Sequence, residues 1–228
     1  MTNNPFITGK GTVVRVSPLQ GNRVAPIAQT ITLNGAAVAN ANSLTVEALT
    51  GKIDTSAELP VYVNFTDADG NESLVKITAD AIATATTLTV AALDKAIADN
   101  ATAELPVKLL ARTAANISTN SSDTTSTTFD TGAYEDGLMT SIGYGVSCPG
   151  NFLSQDAGWR TCFQAFNELK EVWLEVALPK PAGYSKGYVF KGPASVTNCA
   201  LDIPADGVIT SPVDFKFRGK ITIVEPTV

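Results

Sequence analysis

Alternating apolar and polar positions dominate the chain, and only one stretch breaks into a helical period. Trp159, Cys162, Phe163, Phe166 and Leu169 recur at i, i+3, i+4, i+7 and i+10 within SQDAGWRTCFQAFNELKEV. That spacing predicts one amphipathic helix over roughly Asp156–Leu169, with Arg160, Gln164, Asn167 and Glu168 facing away. Ser154 is the expected cap, and Asp156 is expected in the first turn, where the helix dipole favours a negative charge. The aromatic stripe is read as core, the helix seated on a sheet by Phe163 and Phe166. If buried, Phe166→Ala costs about 3–5 kcal/mol.

Strands are predicted on both sides of this helix. GTVVRV (Gly11–Val16) and AQTITL (Ala28–Leu33) come first, separated by Pro18, Gly21, Asn22 and Pro26. PVYVNFTDADGNESLVKIT reads as a hairpin, with strands Tyr62–Thr66 and Ser73–Thr78 around the turn Asp67–Asn71. Leu138–Ser147 precedes the helix. EVWLEVAL follows it, with Val172, Leu174, Val176 and Leu178 on one face and Glu171, Trp173 and Glu175 on the other. Gly187–Lys191 and Ala194–Ile203 are read as strand interrupted by Gly192-Pro193, with a bulge near Asn198 where the apolar parity shifts. The last segment alternates from Val213 to Ile223, with Asp214, Lys216 and Arg218 on its polar face. As one strand it spans on the order of 40 Å.

Residues 34–112 differ in texture, rich in Ala, Thr, Val and Asp. SLTVEAL (Ser43–Leu49) echoes in TLTVAAL (Thr87–Leu93), and AELPV at Ala57–Val61 echoes at Ala103–Val107. Two copies are too few for a solenoid. The stretch is read as an inserted β module of pseudo-repeat character, with a short helical turn at Leu93–Ala98. The polar run 113–137 suits either a linker or an exposed hairpin arm.

Composition narrows the chemistry. The 228 residues carry no histidine, 16 Lys+Arg and 22 Asp+Glu, for a formal charge of -6. Without histidine the chain lacks the usual general base and the commonest metal ligand. Cys148, Cys162 and Cys199 have neither Cys-x-x-Cys spacing nor an even count, so zinc and a closed disulfide set are not expected. They are read as small buried hydrophobes in a reducing compartment. Gly9-Lys-Gly-Thr12 lacks the upstream glycine of a phosphate loop. Asp67-Ala-Asp-Gly-Asn-Glu72 has its glycine at the fourth position, where a calcium loop needs it at the sixth, so it reads as a hairpin turn. No G-x-S-x-G elbow occurs. No enzyme, cofactor or metal is expected. No signal peptide or membrane span is read from the sequence.

The C-terminal block carries a resemblance. A strand, one amphipathic helix, EVWLEVALPKPAG and then GPASVTNCALDIPADGVITSPVDFKFRGKITI follow each other as in the tail tube proteins of long-tailed bacteriophages. GKGTVVRVSPLQGNRVAPIAQTITL and TTSTTFDTGAYEDG are similar to that family's opening and to the segment leading into its core sheet. The likeness covers residues 1–33 and about 113–228; residues 34–112 depart from it. It implies a mainly β protein: a tail-tube-type β-sandwich with one flanking α-helix, here with a small inserted β-rich domain. It further implies homo-hexameric rings stacked into a hollow tube in the virion tail, assembled in the host cytoplasm. DNA would transit that tube without specific binding. Tape measure, tail terminator and baseplate or tail-tip proteins would be its partners. Glu171, Trp173, Glu175, Asp214, Lys216 and Arg218 are candidates for the lumen or an interface. Asn4, Phe6, Thr128, Phe129 and Tyr134 are candidates for arms between rings. A head decoration or tail terminator subunit, or a glycan-binding adhesive β-module, is the alternative.

Overall fold

A computed structural model describes residues 11–19, 23–55, 59–126 and 136–227, without the side chains of 123–140; the described residues are mainly β with a single α-helix. The first sheet holds β1 (Val13–Pro18), β8 (Val107–Lys108), β9 (Asn116–Ser126) and β10 (Asp136–Cys148). It also holds β11 (Glu171–Ala177), β12 (Val189–Cys199), β13 (Val213–Phe217) and β14 (Thr222–Val224). Their order is β8-β1-β11-β12-β13-β10-β9, with β14 also on β12, and every pairing is antiparallel. A second sheet contains β2 (Gln29–Thr32), β4 (Val61–Thr66), β5 (Glu72–Ile77) and β7 (Thr102–Leu105), in the order β2-β7-β4-β5. The strand at the end of the chain's opening segment, β2, therefore pairs in this second sheet and not beside β1. The chain crosses back to the first sheet at Leu105-Pro106, a cis peptide bond.

The sequence echoes pair with each other. β3 (Ser43–Thr45) and β6 (Thr87–Thr89) run antiparallel with Leu44 opposite Leu88. Around that centre the bridges Ala37↔Ile97 and Ile53↔Ala81 exchange equivalent residues, as a two-fold relation requires. Leu44 and Leu88 are both fully buried. Leu93–Ala98, expected to turn helically, is irregular apart from a single bridge at Ile97.

The helix, α1 (Ala157–Asn167), differs from expectation in three ways. Asp156, not Ser154, caps it: its Oδ1 accepts from the Trp159 N–H at 3.1 Å. Its buried face runs through Ala157, Gly158, Thr161, Cys162 and Ala165, with Trp159 at the margin. Phe163 and Phe166 are 40% and 38% exposed and Leu169 is 91% exposed, which corrects their assignment to the core. The physical reason is distance. A Cβ on Gly158 would lie 2.6 Å from the Lys108 carbonyl, so at that point the helix backbone approaches β8 too closely for any larger residue. Leu169 leaves the helical stripe altogether. It sits at φ 55 just past the cap, where the Leu169 and Lys170 N–H groups bond Phe166 and Ala165 carbonyls in a Schellman turn.

Two strand expectations also change. Gly192-Pro193 does not interrupt β12, because Pro193 faces Trp173 within continuous pairing to β11. The final segment is not one strand: β13 and β14 lie along the same side of β12 but are parted at Arg218–Ile221, where Gly219 has φ 85. The bulge near Asn198 is present as a register shift between Val196 and Asn198.

Candidate functional site

The first sheet has two unlike faces. Alternation in β1, β11, β12 and β13 buries Val14, Val16, Val172, Leu174, Val176, Ala194, Val196, Val213 and Phe215 on the side where α1 packs. Cross-strand register brings the opposite residues into rows. Lys108, Arg15, Glu175, Lys191 and Thr222 form one row across five strands; Glu171, Ser195, Lys216, Gly145 and Ser118 form another. Glu171, Trp173, Glu175, Asp214 and Lys216 thus share one polar face, and Arg218 follows directly after it. On this face Trp173 Nε1 donates to Glu175 Oε1 at 3.0 Å and Asn198 Nδ2 donates to Asp214 Oδ2 at 3.0 Å. Arg23 forks onto Glu171 through Nε at 2.8 Å and Nη2 at 3.1 Å. The Arg218 guanidinium donates to Ser195 Oγ at 2.7 Å. Basic and acidic groups alternate closely enough to leave no strong field of either sign.

The two edges of this sheet differ as much as its faces. At one end β8 is only two residues long and is flanked by Glu104 of the second sheet, which bonds both Arg15 at 3.5 Å and Lys108 at 3.2 Å. At the other end β9 pairs β10 along its whole length and has no described strand on its outer side. β13 covers β10 only over Gly145–Cys148. From Asp136 to Tyr144, therefore, the β9–β10 hairpin continues as a two-stranded ribbon. At about 3.3 Å per residue it extends on the order of 30 Å beyond the sheet. The hydroxyl- and amide-rich residues 119–122, at the base of this ribbon, are exposed.

The root of the ribbon is locked by Arg112, a residue to which the sequence pattern assigns nothing. Its guanidinium donates to the carbonyls of Leu110 (2.7 Å), Cys148 (3.4 Å), Asn151 (3.1 Å) and Ser211, and to Ser211 Oγ (3.0 Å). Thr113 adds N–H and hydroxyl bonds to the Pro149 carbonyl. Asp156 is the second such tie. Fully buried, it caps α1 with one oxygen and accepts from the Leu110 N–H at 3.0 Å with the other.

Burial pushes the Asp156 carboxyl up to about 6, against the pull of the Trp159 and Leu110 N–H groups and of Arg112. Because the folded value lies above the unfolded one, its contribution is complete at low pH and is lost as pH rises through about 6. The size is about 3 kcal/mol at one pKa unit per 1.36 kcal/mol. Stability of the parent chain is expected to fall by that order between pH 4 and pH 7, relative to Asp156→Asn. Urea midpoints of the two chains across that range measure it; parallel pH profiles would overturn the assignment.

Cys148, Cys162 and Cys199 are buried free thiols, and burial raises all three, Cys148 to about 12 and Cys199 to about 11. They are poor nucleophiles and poor metal ligands in that state. The Asp67 carboxylate is spent on its own turn, accepting from Asp69 N, Asn71 N and Asn71 Nδ2. Among the described residues no cluster of three His, Cys, Asp or Glu could hold a metal, and no helix is long and apolar enough to cross a membrane. Asn4, Phe6, Thr128, Phe129 and Tyr134 lie outside the described residues.

No protein-family model and no curated protein matches the chain. Solved structures similar to it include a chain of the virion of a native gene transfer agent particle, at TM-score 0.43 and 16% identity, covering 51% of this chain and 87% of that one. A chain of the C6-symmetric tail of an empty gene transfer agent particle has TM-score 0.43 and 17% identity, with 51% and 84% covered. A chain of the six-fold symmetrised baseplate of the anti-feeding prophage has TM-score 0.40 and 8% identity, with 76% and 98% covered. Likeness at these values assigns no function to this chain.

Proposed function

We propose that the chain is a structural subunit of a phage-like tail whose copies close into hexameric rings and stack as a hollow tube. The β9–β10 ribbon carries this reading. A lone two-stranded ribbon is marginal in water, and a long edge strand is a template for another chain. Pairing β9 with a neighbouring copy satisfies both demands, and repetition of that contact around an axis closes a barrel. The first sheet with its helix, built from 13–18 and 107–224, then supplies the tube subunit; the second sheet and the β3–β6 pair, residues 29–105, form the inserted module, a shift from the sequence bounds 34–112 because β2 pairs β7 and β8 pairs β1. The module seats against α1 through Tyr62–Gln164 (3.2 Å) and Asn64–Ala157 (3.2 Å). These contacts lie on the helix side; at the β8 edge Glu104 of the module also reaches Arg15 and Lys108, and the rest of the polar face is left to line the bore. Mixed charge on that face suits DNA that slides without being gripped. The role is structural, without a catalytic step.

Negative-stain microscopy of concentrated protein should show rings or tubes about 100 Å wide. A particle that stays monomeric at every concentration rejects the reading. The edge itself is tested by Ser118→Lys with Asn120→Lys, which places charge along β9 as natural edge strands do. The double variant should melt like the parent and form no tubes; normal tubes would show that β9 is not the contact.

A further inference from the structure

A groove of about 420 Å³ opens between α1 and β4, apart from the assembly surfaces. One wall is aromatic. Trp159 and Phe163 stack with centroids 5.0 Å apart and planes 19° from parallel, and Phe152 meets Trp159 edge-on from behind at 4.9 Å. Phe163, 40% exposed, turns ring surface toward solvent. The other wall is a chain of hydrogen bonds. The Tyr62 hydroxyl donates to Gln164 Oε1 at 3.2 Å, and Gln164 Nε2 donates to Glu168 Oε1 at 2.7 Å. Arg160 borders the same groove, its guanidinium on the Ser154 carbonyl at 3.4 and 3.2 Å.

Each class of ligand meets this lining differently. A purely apolar side chain would cover the aromatic wall and leave the Tyr62–Gln164–Glu168 chain desolvated, which is costly. A phosphate or carboxylate would meet Glu168 as well as Arg160, one charge opposing what the other attracts. A ligand with one C–H face and a rim of hydroxyls uses both walls, because amide, phenol and carboxylate can each exchange bonds with hydroxyls. We propose that this groove binds one pyranose ring of a neutral saccharide. The site joins the helix to the second sheet, since Tyr62 comes from β4 and Trp159, Arg160, Phe163 and Gln164 from α1, with Glu168 at its C-cap. The inference goes beyond tail assembly and does not depend on it.

Saturation-transfer NMR on the full chain tests it, with methyl glycosides of glucose, galactose, mannose and N-acetylglucosamine and their trisaccharides at millimolar concentration. At least one should receive transfer at its ring protons. Phe163→Ala should weaken binding about tenfold by removing the stacking surface. Gln164→Leu keeps the helix and the volume but breaks the polar wall, and should weaken binding comparably with unchanged melting. Absence of transfer to every saccharide, or transfer undiminished in both variants, overturns the proposal. So does a proline-rich peptide that fills the groove when no saccharide does. The Ser118→Lys/Asn120→Lys chain should bind saccharide as the parent does, so failed assembly and failed binding are read separately.

Discussion

Arg112→Ala should destabilise the chain by about 3–5 kcal/mol, because it strips hydrogen bonds from five acceptors at once. Those acceptors, on Leu110, Cys148, Asn151 and Ser211, belong to segments far apart in sequence. A planar guanidinium spans them; the single ammonium of Arg112→Lys cannot, and should recover only a minor part. Packing is equally tight from the other side. A Cβ on Gly150 would lie 2.5 Å from the Ala111 carbonyl and 2.8 Å from Arg112 Nε, so Gly150→Ala should disturb the same lock. Equilibrium denaturation should show the midpoint falling with little change of slope. A loss below about 1 kcal/mol would mean that water replaces the guanidinium at little cost. In the proposed assembly the consequence is larger than stability alone. The lock fixes where β9 enters the sheet at Asn116, and hence the direction in which the ribbon meets the next copy.

Trp159→Ala is expected to cost about 3–5 kcal/mol, whereas Phe166→Ala should cost about 1 kcal/mol or less. Trp159 is 6% exposed and wedged between Phe152 and Phe163, so truncation leaves a cavity and two unpartnered rings. Phe166 is 38% exposed, and its removal opens no void. Thermal unfolding of the two variants side by side separates the helix placement seen here from the aromatic stripe that periodicity suggests. Equal losses would put Phe166 back in the core.

The candidate site is partly legible in the sequence. Alternation places Glu171, Trp173, Glu175, Asp214 and Lys216 on one strand face each. That their strands lie adjacent, so that the faces merge, follows only from the order β11-β12-β13. Arg112 carries no local signal, since apart from Leu110 its partners come from two distant stretches, at 148–151 and at 211. Asp156 does carry one, an acid just ahead of the first helical residue, but Ser154 offers the same signal two residues earlier. The bond from Leu110 N–H decides between them. The echo Ser43–Leu49 and Thr87–Leu93 is visible in the letters, yet nothing in them says that the copies face each other.

By itself the sequence determines what short-range physics controls. Val61–Thr66 and Glu72–Ile77 form strands because their side chains alternate, and Asp67 closes the turn with its own carboxylate. The helix at Ala157–Asn167 likewise falls where apolar residues repeat at 3.6; the place and type of these elements are local information, although their stability comes from packing. Tertiary structure alone decides which side of that helix is buried. The aromatic residues offer more apolar area, but the most buried face bears Gly158, Thr161, Cys162 and Ala165, and at Gly158 the Lys108 carbonyl leaves no room even for a Cβ. Likewise, polarity marks 113–137 as exposed, whereas only the short reach of β13 leaves the β9–β10 ribbon standing clear of the sheet. Burial and edge exposure depend on what arrives opposite a residue, and that is a property of the assembled layers.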